Sequence, residues 1–302
     1  MTANGPTPDP PPTAWLDGPA AGEAAPAISA YYDDVAAHLR VPFLGPFWRS
    51  LTFEPSLVES LWAALSALLS TRAFEREAVA LRRAALIDEA VTMPSHQAFK
   101  ADLVRAEVDF EMRERIGNYN AAVHYALPKT LLAATWLETS PVTSSAPPAP
   151  SEALPPGVAA GAVAVTPLPP QARRGRVAEL LEEIPRVHGH QLTDEYFLAL
   201  GRLPDYLNAA WNAIRPIVRD EPYNERVGGI VDLAVAGVAR LPAPPVGFHE
   251  NLARHAEAAR LRAVLAYFSH RHLPDILLDV AIIKGLTDGP ERAQWSPFDL
   301  TD

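Results

Sequence analysis

Two His-x-His pairs, His188/His190 and His270/His272, stand close to two carboxylates, Asp194 and Asp275. Histidine nitrogen together with carboxylate oxygen is a donor set for zinc or iron, so pairs that converged would build a metal centre. Residues two apart on a helix point to different sides, however, and His270 and His272 could share a metal only if the helix broke before Pro274. No metal is expected, and the histidines read as exposed or capped side chains that titrate near neutral pH. Arg49, beside Trp48, offers a planar two-pronged donor to a carboxylate; its alternative is a solvated position on a helix. Phe43, Phe47, Trp48, Tyr196 and Phe197 form an aromatic set that either lines a pocket or fills the core, the usual fate of aromatics at such spacing.

Several chemistries are closed. The 302 residues include no cysteine, which removes disulfides, thiolate nucleophiles, thiol peroxidase chemistry and sulfur-ligated metals. Gly228-Gly229 lies inside a helical pattern and does not make a phosphate-binding loop. No cofactor is expected. With 26 basic against 36 acidic side chains the net charge is -10, which disfavours phosphate backbones and anionic lipid. No nucleic acid and no membrane are therefore expected as partners. Met1 to Pro12 has neither a basic start nor an apolar stretch, so it does not read as a signal peptide, and a reducing, cytoplasmic location fits.

The elements that must position these side chains read as helices. A hydrophobic content of 48% is enough for a core. Leu57, Leu61, Leu65, Leu68 and Leu69, and again Leu207, Trp211, Ile214 and Ile217, follow helical spacing, while period-two alternation is almost absent. The fold class is all-α. Residues 1–28 and 140–173 are rich in proline, glycine and alanine, and are expected to be a disordered N-terminal tail and a proline-alanine linker. They bound a first helical repeat, 29–139, and a second, 174–290, followed by a C-terminal tail, 291–302.

These halves read as two versions of one unit. At a constant offset of 149, Phe47-Trp48 meets Tyr196-Phe197, Pro55 meets Pro204, Trp62 meets Trp211, and Phe74 meets Tyr223. At an offset of 146, His124, Leu127-Pro128 and Leu131-Leu132 meet His270, Leu273-Pro274 and Leu277-Leu278. An internal repeat decides architecture before any motif does, and here it implies an intramolecular pseudo-dimer with a cavity between the repeats. Proline is tolerated in a first helical turn, so Pro55, Pro204, Pro128 and Pro274 are expected to mark helix starts.

Tyr32-Asp33-Asp34-Val35, Leu39-Arg40-Val41-Pro42-Phe43, the Pro55 helix with Trp62, Tyr125-Ala126-Leu127-Pro128-Lys129, His188-Gly189, Pro204 and Leu286-Thr287-Asp288-Gly289 occur in that order. This series resembles the group I, non-stereospecific 2-haloacid dehalogenases, over most of the chain outside the two disordered segments. The resemblance implies a helical pseudo-dimer with one site between repeats. There an aspartate activates a water that displaces halide from a small 2-halocarboxylic acid directly, without an ester intermediate. Such a base gains strength in an apolar pocket beside the substrate's own carboxylate. A homodimer is the assembly considered.

The match leaves two placements for the catalytic position. Anchored on His188-Gly189, the family's Ser-Asp pair falls on Thr193-Asp194; anchored on Pro204, ten residues beyond Asp194, it falls on Tyr196. Asp194 would otherwise be a helix N-terminal residue that satisfies free amides. The family's asparagine before the proline-lysine pair is Leu127 here, its nearby tyrosine is Thr130, aromatic residues expected on the last long helix are Ser269 and His272, and its first-repeat tryptophan is Phe43. The substrate-binding set implied is Phe43, Phe47, Trp48, Arg49, Leu127, Thr130, Thr193, Ser269, His272, Leu273 and Ile276. Because the pocket departs from the family at several positions, a non-catalytic descendant that binds a small apolar carboxylate or a protein partner is the alternative.

Overall fold

A computed structural model describes residues 10–20, 22–85, 95–139, 153–164, 166–293 and 295–300. Among them there are helices and no strands, apart from one isolated bridge between Thr71 and Ala153. The helices of the first half are α1 (Thr13–Leu16), α2 (Pro26–Leu39), α3 (Pro46–Ser50), α4 (Pro55–Leu69), α5 (Arg72–Ala84), α6 (His96–Arg105) and α7 (Phe110–Thr139). The second half carries α8 (Gly175–His188), α9 (Glu195–Leu200), α10 (Pro204–Ile214), α11 (Glu221–Val238), α12 (Phe248–Arg254), α13 (Ala258–Tyr267), α14 (Leu273–Asp288) and α15 (Pro290–Ala293). A π-helical turn, Phe268–His272, joins α13 to α14.

Local chemistry accounts for the boundaries. Thr71, Ser95 and Asp220 cap α5, α6 and α11 by accepting from the amides of Phe74, Ala98 and Tyr223. Pro55 and Pro204 occupy the first turns of α4 and α10, as expected. Pro128 instead lies inside α7 and starts nothing. The reason is tertiary: every residue of α7 from Asn120 to Leu137 is buried, so packing on all sides offsets the hydrogen bond and the clash that an interior proline costs. Pro274 follows the π turn, whose wider spacing carries the helix into α14 without a break.

The helix order recurs at the offset read from the sequence. Counterparts α2 and α8 are both 14 residues long, and they end in left-handed caps, Arg40 at φ 67° and Gly189 at φ 66°. The starts of α4 and α10, and of α5 and α11, also stand 149 residues apart. The counterpart helices α7 and α14 pack extensively on each other at the centre, and α14 is buried from Leu273 to Leu286.

Several segments expected to be disordered are packed instead. Leu16 is buried, Trp15 lies against Arg260, and the Tyr32 hydroxyl donates to the carbonyl of Pro19 at 2.9 Å. Two bulky apolar residues are enough to anchor this proline-rich stretch. The second part of the linker runs along the body with little helix, as its prolines dictate, and bonds to it: Leu154 N donates to Ser70 O at 2.8 Å, Gly157 N to Ala37 O at 2.9 Å, and Leu168 N to Leu198 O at 2.9 Å. At the C-terminus Phe298 packs on Tyr125 and Asp299 pairs with Arg82. The expectations for residues 1–9 and 140–152 lie outside the described residues. No described helix is long and apolar enough to cross a membrane.

Candidate active site

Asp194 is placed by the turn between α8 and α9. Gly189 adopts the left-handed conformation that closes α8, with His190 N donating to Pro185 O at 2.7 Å, and the Thr193 hydroxyl donates to Leu181 O at 2.8 Å. The next residue, Asp194, is the N-cap of α9; its Oδ1 accepts from the Tyr196 amide at 2.8 Å. Its Oδ2 accepts from His272 Nε2 at 3.0 Å. The side chain is buried at 5% exposure. Both oxygens therefore have one fixed donor each, and each keeps a lone pair for a further partner.

Asp194 also lines a narrow cleft of about 30 Å³. One wall is Leu39, Phe43, Leu44, Gly45 and Pro46; Val123, Ala126, Leu127 and Thr130 of α7 form the second; Asp194, Glu195, Tyr196 and Leu273 complete it. Gly45-Pro46 and Asp194-Glu195 are counterparts at the offset of 149, so equivalent turns of the two halves meet across one space. The second carboxylate, Glu195, is neutralised by an ion pair with Arg49. Burial lowers the Arg49 pKa from its ordinary value, and neighbouring Tyr32, Asp17 and Asp194 oppose that shift.

Behind Asp194 lies a buried histidine-aspartate array. His188 pairs with Asp279 and His190 with Asp275, each at 2.8 Å, beside the pair of His272 and Asp194. The rings of His188 and His190 stack at 4.9 Å, and His190 lies 4.6 Å from His272. Arg219 reaches Asp275 at 3.2 Å, and the Tyr223 hydroxyl donates to Asp279 at 2.9 Å. Burial, then the neighbouring His272, His188, Arg219 and Arg271, holds His190 well below the usual histidine range, so it serves Asp275 as a neutral N–H donor. For His188 burial opposes the charged form, but Asp279 raises its pKa overall. These histidines are buried rather than at the surface as the sequence suggested. They are core residues, each spent on one aspartate. His270 alone is solvent-facing and pairs with Glu138. Among the described residues no group of three or more histidine, aspartate or glutamate side chains converges to hold a metal.

Of the residues singled out from the sequence, Phe43, Leu127, Thr130, Asp194, Tyr196 and Leu273 meet around the cleft. The others do not line it. Phe47 and Trp48 are core, the latter donating through its indole to the Thr130 hydroxyl at 3.2 Å. Ile276 is buried on α14, and Thr193 is spent on Leu181. Ser269 donates to Leu265 O at 2.7 Å and to Glu138, facing away from Asp194. His272 touches Asp194 from behind, and Arg49 is one residue removed, through Glu195. Tyr196 directs its hydroxyl away from the cleft to Asn120 at 3.0 Å. Leu39, Leu44, Gly45, Pro46, Val123, Ala126 and Glu195 were not anticipated; the repeat offset applied to Asp194-Glu195 would have found Gly45-Pro46.

An all-α chain whose two halves repeat, with a capped carboxylate in an apolar cleft where they meet, is the class that fold and site define. No family model matches the sequence. The chain is 28% identical over 283 residues to a configuration-inverting 2-haloacid dehalogenase of Alcaligenes xylosoxydans xylosoxydans, covering 90% of this chain and 94% of that one. Among solved structures it shares its fold with a D-2-haloacid dehalogenase in complex with L-LA, at a TM-score of 0.76 and 18% identity over 90% of this chain and 96% of that one. A mutant of a D-2-haloacid dehalogenase with D-2-CPA superimposes at 0.74, with 19% identity and 90% and 95% coverage. The resemblance to 2-haloacid dehalogenases is borne out at that level. The narrower placement in the non-stereospecific group is not what these relatives' names carry: one is called configuration-inverting, the others D-2-haloacid dehalogenases.

Proposed function

We propose that the chain is a hydrolase of carbon–halide bonds that removes halide from a small 2-halocarboxylic acid, with Asp194 activating the attacking water. The observation that carries this reading is the placement of Asp194, buried, oriented by two donors, and open to an apolar cleft. The water oxygen bonds to C2 as one of its protons passes to Asp194, and the C–halogen bond breaks with its electron pair leaving on the halide. A single displacement of this kind inverts C2, in keeping with the name of the Alcaligenes relative. Phe43, Leu44, Leu127 and Leu273 strip water from the reacting carbon and surround the halogen. The substrate's carboxylate is taken by the cleft wall at Gly45 and Pro46, beside which Arg49 cancels the charge of Glu195. The recurrence of the helices supports reading the two halves as facing repeats with this one site between them.

A second reading rests on Leu127. It lines the cleft where the family resemblance places an asparagine, and the Thr130 hydroxyl is already donating to Ala126 O at 3.2 Å. A pocket with so few free polar groups suits a protein that binds a small apolar carboxylate without turning it over. Incubation with each enantiomer of 2-chloropropionate, followed by chloride release, separates the two. Release by the wild type that is lost in Asp194→Asn supports the hydrolase. No release from either enantiomer, with binding retained in calorimetry, supports the second reading.

A further inference from the structure

We infer that His272 is the positioning residue of the candidate base: its Nε2–H holds the Asp194 carboxylate from behind, and the Tyr267 hydroxyl selects the tautomer that can do so. The inference deepens the hydrolase reading and rests on it for its catalytic arm. His272 is fully buried, and its Nε2 meets Asp194 Oδ2 at 3.0 Å. On the other side of the ring, Nδ1 lies 3.4 Å from the Tyr267 hydroxyl. That hydroxyl already accepts the Gln191 amide at 3.0 Å, so its own proton is directed to Nδ1. A ring nitrogen that accepts leaves the other to donate, so the order of donors runs from Gln191 through Tyr267 and His272 to Asp194.

The fold holds this ring in place. Tyr267 stacks on it at 5.6 Å, Phe268 meets it edge-on at 5.3 Å, and His190 lies at 4.6 Å. The π turn that carries it sends Ser269 and His270 outward to Glu138 and turns His272 inward. Asp194, His190 and Tyr267 face the ring directly, with Asp275 and Arg219 lying beyond His190. With Oδ1 on the Tyr196 amide and Oδ2 on His272, the plane of the carboxylate is set by two donors on different elements. Removing His272 leaves one donor and frees that plane to rotate, which misplaces the lone pair that takes the water's proton.

The test uses the full chain. Long-range ¹H–¹⁵N correlation of the histidine rings is expected to show His272 as the Nε2–H tautomer, and Asp194→Asn to shift that Nε2 resonance. Tyr267→Phe is expected to admit the Nδ1–H form. In chloride release from 2-chloropropionate, His272→Phe should lower kcat on the order of 10- to 100-fold with little change in KM, the size of loss seen when a ligand's supporting hydrogen bond is removed. His272→Gln, whose amide nitrogen reaches the same place, should recover most of it. A kcat for His272→Phe within about twofold of wild type, or an Nδ1–H tautomer in the wild type, overturns the inference while leaving the hydrolase reading intact. Wild-type protein without chloride release instead defeats the hydrolase reading, and the positioning pair then stands or falls on whether Asp194→Asn moves the His272 resonance.

Discussion

His124 sits in the middle of α7 with both ring nitrogens buried and without a hydrogen-bond partner among the described residues. Burial, then the charges of Arg82 and Lys284, pushes its pKa well below the usual 6.5. The unfolded chain therefore binds a proton below pH 6.5 that the folded chain refuses. A lowered histidine pKa means that stability is complete above the unfolded value and is lost as pH falls through it, by about 1.4 kcal/mol per pH unit. Integrated from neutrality, His124 costs about 1.4 kcal/mol at pH 5.5 and about 2 kcal/mol at pH 5. His190 is depressed in the same direction and adds a similar loss, whereas Asp275 and Asp279, raised by burial, act with the opposite sign at lower pH. The total slope is thus a mixture, but the difference between wild type and His124→Leu isolates one residue. Urea unfolding at pH 7.5, 6.5 and 5.5 should show the variant gaining stability over wild type progressively, by about 1.4 kcal/mol more at pH 5.5 than at pH 7.5. A difference between the two proteins that stays constant across these pH values would refute the reasoning, because it would mean that His124 takes up its proton in the folded state.

Lys129→Met is expected to lower stability by about 3–5 kcal/mol, because it strands Glu75, now 2.7 Å from the ammonium, as a buried unpaired carboxylate; a thermal melt of this variant and of Lys129→Met with Glu75→Leu, which should recover most of the loss, checks it. Tyr196→Phe removes the hydrogen bond to Asn120 and should cost about 1 kcal/mol of stability, with halide release unchanged because the hydroxyl faces away from the cleft; a large fall in kcat would return Tyr196 to the catalytic position. Arg49→Met leaves Glu195 uncancelled at the cleft wall and is expected to raise KM for an anionic substrate roughly tenfold while kcat moves little.

The helices were readable because their signals are local. Proline at the starts of α4 and α10, leucines at helical spacing, and the glycine that ends α8 each act within one or two turns. Pro128 misled because its cost is local while the packing that offsets it comes from helices far away in the chain. The N-terminal tail misled for a related reason: composition counts prolines and alanines, whereas Leu16 is buried and Trp15 partly so against the folded body. At the site, Asp194 was reached through its His-Gly neighbour; its Oδ1 caps α9, the structural role the sequence offered, and the residue also lines the cleft. The pairing of Arg49 with Glu195 joins residues of different halves and left no trace in spacing. Asp275 and Asp279 did leave one: two aspartates four apart within the otherwise apolar run 273–283 share one helix face that is buried, and buried aspartates require donors.

That requirement explains why three histidines crowd one place. Asp275 and Asp279 come from α14, at the centre of the molecule, and cannot reach water; Asp194 cannot either, except through the cleft. Each is met by one histidine, from the end of α8, the α8–α9 connection or the π turn. The partners are shifted in opposite directions: Asp279 raises the pKa of His188, while burial holds His190 well below the usual histidine range beside Asp275, which Arg219 also reaches. The rings of this cluster pack against one another, so moving one disturbs its contact with the next. In the proposed reaction, the side of Asp194 facing the apolar cleft is where the water would meet a carboxylate already oriented by the Tyr196 amide and His272.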